Sequence, residues 1–232
     1  MGEARRLQLT AKGYKGLLPK PVSMEKTLVE FLQKPALKEP YLIEGLPGIG
    51  NVGVNVARAL IKALRAELVA YMISPFLPDY VVIEDGICRL PMYKFYAAHG
   101  AGLDLVILTG DAQPPQEEST AHYELCEEVV ALALRLGVKG VVGIGGFLVP
   151  GSSDGVLVAY ASEELGKKFM EAGAKPMPPT RIVGATGLIP ALAAERGMEG
   201  ACLLGVCSSP VNDREASNRT LRVLVRGLGI RL

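Results

Sequence analysis

The sequence predicts an α/β fold, a single α/β sandwich with a mostly parallel mixed sheet. Along its 232 residues, short apolar runs alternate with stretches whose apolar residues recur at helical spacing, which is typical of strands connected by helices. One interruption, the dipeptide Asp85-Gly86 between two apolar runs, is typical of a β-hairpin, so antiparallel pairing is expected beside the parallel strands. Hydrophobic residues make up 49% of the chain and the mean hydropathy is +0.27. These values fit strands covered on both faces or an apolar interface between subunits.

The first 37 residues are expected to be a basic extension, followed by a single α/β domain over 38–232. Residues 1–40 carry eight Lys or Arg and four acidic residues. The excess of four positive charges suits a solvated arm better than a polyanion-binding site. Within this stretch we predict a short helix at 24–33 and a connector at 35–40.

Apolar and amphipathic runs predict the elements of the first half of the domain. The helix over 51–65 has apolar residues at helical spacing. The helix over 115–136 begins at prolines, carries Glu117 and Glu118 in its first turn and is followed by Gly137. Strands are expected at 41–45, 67–73, 80–84, 87–95 and 103–109.

The second half repeats this alternation. Ser162 is expected to cap a helix that begins with Glu163 and Glu164. A stiff proline connector is expected at 176–179. Further helices are predicted at 188–196 and 213–228, and strands at 138–144, 156–161, 181–184 and 201–206.

A glycine-rich turn follows the first predicted strand. Gly48, Gly50 and Gly53 form a G-x-G-x-x-G pattern between a strand and a helix, but the next strand does not end in the acid that a dinucleotide site needs. A phosphate loop would need Lys and Ser or Thr where Asn51 and Val52 stand. Two interpretations stay open: free amides at a helix N-terminus, capped by Asn51, that receive an anion or a partner's carboxylate, or a turn that only lets helix and strand pack closely.

Several predicted strands end in small residues. Because the carboxyl ends of parallel strands meet at one edge of a sheet, these loops are expected to share a rim that binds a ligand or an anion. The candidate binding residues of this rim are Gly45, Pro47, Gly48, Gly50, Asn51, Asp111, Gly145, Gly146, Gly184 and Gly187.

The residues for catalysis are sparse. Asp111 is the one acid that the predicted parallel strands place at a carboxyl end, and His122 is expected at the surface or edge of the following helix. With the polar loop 152–154 these residues could supply a Ser/His/Asp set, but no G-x-S-x-G turn positions a nucleophile. We therefore expect no catalytic residues, no metal site and no cofactor.

Composition also limits the partners and the compartment. The net charge of +1 and the absence of Trp predict no nucleic-acid partner. The longest apolar run, near 141–150, is interrupted by glycines and shorter than the roughly 20 residues of a membrane span. No C-x-x-C pair occurs, so reduced core thiols in a cytoplasmic protein are expected at Cys88, Cys126, Cys202 and Cys207.

Four motifs together resemble the proteasome assembly chaperone 2 family, in particular its archaeal members, which are often labelled ATP-grasp-like. They are GLPGIGNVG at 45–53, LTGDAQP at 108–114, VGIGG at 142–146 and GATGLIP at 184–190. The resemblance covers roughly residues 38–228. It implies a three-layer α/β/α sandwich similar to purine nucleoside phosphorylases, homo- or hetero-oligomers, and binding to proteasome α-subunits. The ATP-grasp label finds no lysine-bearing glycine loop or acidic metal pair in this sequence.

The resemblance also implies a partner-binding tail. Some members of the family end in a hydrophobic–Tyr–any sequence whose carboxylate inserts between α-subunits. This sequence ends in Ile230, Arg231 and Leu232. Arg231 stands where the tyrosine would be, so the ring that fills and orients such a tail is missing.

The sequence therefore favours a non-catalytic, self-associating scaffold that binds proteasome α-subunits or related partners. The alternative is a small-molecule binding protein or enzyme that holds a nucleoside or phosphate at the glycine-rich rim, with Asp111 as base or sugar ligand. A third hypothesis is an oligomeric family member whose partner surface has changed and binds something unrelated to proteasomes.

Overall fold

The computed structural model describes residues 25–100, 102–149 and 154–232. In chain order, the strands are β1 (Leu28–Phe31), β2 (Tyr41–Glu44), β3 (Glu67–Ile73), β4 (Val82–Glu84), β5 (Ile87–Arg89), β6 (Tyr93–His99), β7 (Asp104–Gly110), β8 (Gly140–Leu148), β9 (Val156–Tyr160), β10 (Lys175–Pro176) and β11 (Glu199–Cys207). The helices are α1 (Val52–Ala63), α2 (Ser119–Arg135), α3 (Glu163–Glu171), α4 (Ala185–Ala194) and α5 (Arg214–Leu228), and a 3-10 turn (Ile49–Asn51) precedes α1.

Within the described residues, the larger sheet has nine strands in the order β1-β3-β6-β7-β2-β8-β11-β9-β10. Its centre is parallel, since β2 pairs with β7 and β8, and β8 pairs with β11, in the same direction. Antiparallel pairing joins β1, β3, β6 and β7 on one side and β11 to β9 on the other. The predicted α/β fold with a mixed sheet around parallel strands is confirmed.

Two apolar cores, one on each face of the sheet, create the three layers. In a strand, successive side chains point to opposite faces. Tyr41 and Ile43 pack with α1, α3 and α5 in one core, whereas Leu42 packs with α2 and α4 in the other. The strand is apolar on both faces because helices cover both, and this accounts for the high hydropathy.

The tight hairpin forms where the sequence indicated it. The strands β4 and β5 make a separate two-stranded sheet in which Glu84 pairs with Ile87. Asp85 and Gly86 both have positive φ, +51° and +79°, as the turn requires. The run predicted at 87–95 is divided, however, because the chain leaves the hairpin after Arg89 and enters β6 only at Tyr93.

Two predicted elements are wrong. The helix expected at 24–33 is replaced by β1, whose four residues pair antiparallel with β3, so tertiary pairing overrides a weak local preference. The strand expected at 181–184 does not form: these residues lead directly into α4, and β10 lies at that edge of the sheet. Most of the predicted basic extension, residues 1–24, lies outside the described residues, so the boundary at residue 37 stays a prediction.

Several helix starts differ from the prediction. Helix α2 begins at Ser119, so Glu117 and Glu118 precede it instead of standing in its first turn. Helix α5 begins at Arg214, close to the predicted start, and the carboxylate of its N-cap Asp213 accepts a hydrogen bond from Ala216 N–H at 2.9 Å. Ser162 does precede α3, but its hydroxyl accepts from the Gly200 N–H instead of capping the helix. In the described part of the chain, no helix combines the length and apolarity that crossing a membrane requires.

Candidate functional site

The turn between β2 and α1 lies in close contact with neighbouring backbone. A Cβ on Gly45 would overlap the carbonyl oxygen of Gly53, and a Cβ on Gly53 would lie 2.5 Å from the carbonyl oxygen of Ile144 in β8. Glycine at these two positions is therefore what lets α1 approach both strands. This is the geometry expected of a turn that serves close packing.

Three backbone amides of the turn already have partners within the chain. Gly45 N–H donates to Leu108 at 2.9 Å, and Gly50 N–H donates to Pro210 at 2.8 Å. Asn51 N–H donates to Gly48 at 3.0 Å, and its side-chain Nδ2 donates to the Val211 carbonyl instead of capping α1. The predicted side-chain cap at Asn51 is therefore wrong.

A loop from Cys207 to Asp213 covers the turn. The Asp213 N–H donates to the Gly50 carbonyl at 2.8 Å, and a Cβ on Gly50 would lie 2.8 Å from Cys207 Sγ. Gly50 has a φ of +62°, which also favours glycine. On the other side, a Cβ on Gly146 would overlap the Ile49 carbonyl oxygen. The chain's own backbone and Cys207 thus cover Gly50, while Gly48 and Ile49 stay exposed.

Gln113 joins the loop after β7 to the glycine turn and to α4. Its Nε2 donates to the Pro47 carbonyl at 2.7 Å, and its Oε1 accepts from Ala185 N–H at 2.9 Å. Gly184 lies against the same side chain, and Gly145 lies beside Thr186 of α4. The structure therefore brings the predicted rim loops together, with Gln113 as a link whose role the sequence did not indicate.

Ligand or anion binding at this rim stays a prediction. Gly48 is the most open of its glycines, with the Gln113 side chain 4.0 Å from where a Cβ would stand. Gly187, by contrast, packs against Ile182. The contacts of the turn support the packing interpretation more directly than the ligand interpretation.

Asp111 follows β7 as predicted, but its carboxylate is held by Arg89. The guanidinium donates to both carboxylate oxygens, at 2.6 and 2.9 Å, and Met92 N–H donates to Oδ2 at 2.9 Å. Burial raises the pKa of Asp111, but the hydrogen bonds from Arg89 and Met92 outweigh it and hold the pKa below its ordinary value. Arg89 also pairs with Glu84, so it fastens the hairpin to the sheet.

The possible Ser/His/Asp set is not assembled. His122 is buried, not at the surface as expected, and neither ring nitrogen has a hydrogen-bond partner among the described residues. Asp154 faces Arg219 at 3.6 Å, and residues 152 and 153 lie outside the described part of the chain. Among the described residues, no group of three or more His, Cys, Asp or Glu side chains could hold a metal ion. Cys88 is exposed, whereas the other three cysteines are buried.

Glu44 is a buried carboxyl at the carboxyl end of β2, so Asp111 is not alone in that kind of position. Its side chain is 0% exposed, and Oε1 accepts from Leu46 N–H at 2.9 Å. Burial raises the pKa of Glu44 to about 7, although hydrogen bonds from Leu46, Thr186 and the backbone of Ile144 lower it in part. An acid ending an otherwise apolar strand was the pattern that could have revealed it.

The residues that follow helix α5 differ in burial. Ile230 is buried in the core beneath α1, α3 and α5, and its N–H donates to the Val225 carbonyl at 2.9 Å. Arg231 and Leu232 are exposed. Use of the predicted tail beyond these two residues would require Ile230 to leave the core.

Large apolar side chains are exposed around the β4–β5 hairpin. We call this set the hairpin surface; it consists of Tyr80 (46% exposed), Val81 (51%), Ile83 (57%) and Leu90 (42%). Beside it, a groove of about 530 Å³ runs toward the end of β3. Apolar side chains that cluster at a surface are typical of sites that contact another molecule.

The resemblance drawn from the motifs is confirmed by comparison with known proteins. The fold is an α/β/α sandwich with a closely packed glycine turn. The model of the PAC2 family matches residues 42–232. The uncharacterized protein MJ1210 of Methanocaldococcus jannaschii is 33% identical over 196 residues, which are 80% of this chain and 72% of that protein. The chain belongs to the PAC2 family.

Two solved structures from Pyrococcus furiosus are similar over most of the chain. PbaB, described as an archaeal proteasome activator, has a TM-score of 0.84 and 29% identity, covering 90% of this chain and 91% of its own. PbaA, described as an archaeal homolog of proteasome-assembly chaperone, has a TM-score of 0.75 and 26% identity, covering 90% and 84%. The fold of this chain is therefore the one that these two structures share.

We predict that substitution by alanine destabilises the protein strongly at one glycine of this turn and only slightly at another. Gly45→Ala should lower the free energy of unfolding by about 3 kcal/mol, because the methyl group meets the backbone of α1. Gly48→Ala is the matched control: its backbone is extended and the space is open, so the change should stay within about 1 kcal/mol. Urea unfolding followed by circular dichroism measures both, and equal losses would contradict this account of the turn.

A second prediction concerns Glu44 and pH. The folded-state pKa of about 7 lies above the ordinary glutamate value of 4.5, so the folded protein holds a proton that the unfolded chain releases between these pH values. Stability should therefore fall as pH rises from 4.5 to 7, by about 3 kcal/mol relative to Glu44→Gln, which stays neutral. Parallel curves of unfolding free energy against pH for the two proteins would refute the buried, protonated carboxyl.

Proposed function

We propose that this chain is a non-catalytic protein that associates with itself and binds proteasome α-subunits, in the manner of an assembly chaperone or activator. The family membership and the similarity to PbaA and PbaB support a chaperone-family role. We extend the roles of PbaB as a proteasome activator and of PbaA as a homolog of proteasome-assembly chaperone to this chain as part of the proposal.

The hairpin surface is the observation that carries this proposal. At the rim where an α/β protein commonly binds a ligand, the chain's own backbone packs closely on Gly45 and Gly53, while large apolar side chains are exposed at the hairpin. Fully burying one side chain such as Ile83 is worth about 1.5–3 kcal/mol, so covering several of them favours association. A protein that acts through contacts with other proteins can use the hairpin surface for them.

A second copy of the chain is the occupant that we assign to the hairpin surface. The hairpin is short, and isolated two-stranded sheets are marginally stable unless something packs on them. Arg89 fastens one end through Asp111 and Glu84, but Ile83 and the paired Cys88 remain exposed together. A two-fold contact would cover the same face in both copies.

We predict that a charge in the hairpin surface disrupts self-association. Ile83→Asp should shift wild-type oligomers toward smaller species at micromolar concentration, because a desolvated carboxylate opposes burial of the contact. Val211→Asp, at a position that is 75% exposed and away from the hairpin, should leave the oligomer unchanged. Light scattering after size exclusion measures both, and a wild-type monomer would sink the proposal of self-association.

We also predict that immobilised recombinant α-subunits retain the wild-type protein. Deleting Arg231 and Leu232 should leave retention unchanged, since Ile230 is held in the core and binding is assigned to the body of the protein. Arg231→Tyr, which restores the aromatic residue of the family's tail, is the companion variant. Loss of retention on deletion would reassign binding to the tail, and no retention of wild type would remove the α-subunit as partner.

A further inference from the structure

A cleft lined by positive charge lies between α1 and the antiparallel strands β6 and β7. Its volume is about 550 Å³. We call it the cationic cleft and define it by five side chains: Arg58, Lys62, Arg65, Arg89 and Lys94. It opens on the face of the sheet that α1 covers, and Tyr96 of β6 is part of its lining.

Three of these cations come from the end of α1 and the turn that follows it. Arg58 and Lys62 are four residues apart and project from neighbouring turns of the helix, whereas Arg65 lies two residues beyond Ala63, the last residue of α1, with a φ of +52°. All three are exposed, and none makes an ion pair with a described residue. This part of the chain therefore presents a group of uncompensated positive charges.

The acids that line the cleft do not neutralise this group. Glu84 and Asp111 both pair with Arg89, which they hold at one end of the cleft. The five cations against two carboxylates leave an excess of three positive charges. An anion that entered would meet Arg58, Lys62, Arg65 and Lys94 without displacing an existing partner.

Lys94 shows that this charge is costly to the isolated protein. Its side chain is partly buried and makes no hydrogen bond or ion pair with a described residue. Burial and the nearby Arg89 lower the pKa of Lys94, although Asp111 and Glu84 act in the opposite direction. A desolvated ammonium without a direct partner is stabilised when a negative group binds beside it.

We propose that the cationic cleft binds a small anion that carries several phosphate groups. The volume lies within the range of small-molecule sites, and Arg and Lys together are the side chains that bind phosphate oxygens. Thr109 adds a hydroxyl and Tyr96 an aromatic ring to the lining. In the glycine turn the amides of Gly45, Gly50 and Asn51 are occupied, whereas the cleft gathers several cations, so the cleft is the better site for an anion in this molecule.

Titration calorimetry with inorganic phosphate, pyrophosphate and tripolyphosphate tests this inference on the full-length protein. At low salt, tripolyphosphate should bind more tightly than pyrophosphate, and pyrophosphate more tightly than phosphate, because each added charge meets another cation. The affinity should fall as salt is raised, since exposed cations are screened beyond about 8 Å at physiological ionic strength. No binding of tripolyphosphate at millimolar concentration would overturn the inference.

Variants locate the binding. Lys94→Met keeps the apolar stem and removes the unpaired charge, and Arg58→Gln with Lys62→Gln removes two cations of α1. Each protein should bind tripolyphosphate at least tenfold more weakly while unfolding at an unchanged urea concentration. Arg222→Gln with Arg226→Gln, at exposed positions four residues apart on α5, is the matched control and should bind as wild type does. Equal weakening in the control would show general surface attraction and refute the site.

An acidic peptide separates the proposed ligand from a protein partner. Hexaglutamate presents carboxylates on a flexible chain, and it should bind the cleft more weakly than tripolyphosphate at the same salt. The opposite order, with the same loss in Lys94→Met, would overturn the phosphate assignment and make the cleft a contact for an acidic protein segment. Both results are independent of whether the protein binds α-subunits.

Discussion

The close contact of backbone with backbone at the β2–α1 turn is the constraint on which the rest of the structure depends. With glycine at positions 45 and 53, helix α1 lies directly against β2 and β8, and the whole layer above the sheet is set by that approach. The loop that ends at Asp213 then closes over Gly50, and Gln113 ties the turn to the layer below. Because these contacts use the amides of Gly45, Gly50 and Asn51, those three groups are not free to bind an anion.

Arg89 organises the other end of the molecule. It is a buried cation with two acidic partners, so its charge is compensated, and its position fixes the hairpin relative to β7. Removal of one partner from such a cluster leaves a charge buried without compensation, which makes the cluster a structural element. Asp111 therefore has a role that differs from the catalytic or ligand-binding role its place after a parallel strand indicated.

Two surfaces of opposite character lie on either side of this cluster. The hairpin surface is apolar and suits contact with protein, whereas the cationic cleft is charged and suits a small anion. Since Arg89 and Glu84 belong to the hairpin and also line the cleft, a ligand in the cleft and a subunit on the hairpin would act on the same short segment. The fold thus places an exposed apolar surface and a positively charged cleft next to each other.

The sequence by itself determined the alternation of strands and helices and the Asp85-Gly86 turn, because these follow from periodicity and local backbone preference. Its four motifs indicated the family, and the resemblance implied the layers. Only the tertiary structure decided that residues 28–31 form an edge strand, that Glu44 carries a raised pKa and that Asp111 pairs with Arg89. The cationic cleft could not be predicted from the sequence either, since its residues come from α1 and the turn after it, the hairpin, β6 and the end of β7. Contacts between residues far apart in sequence depend on how the layers pack, and no local pattern encodes that distance.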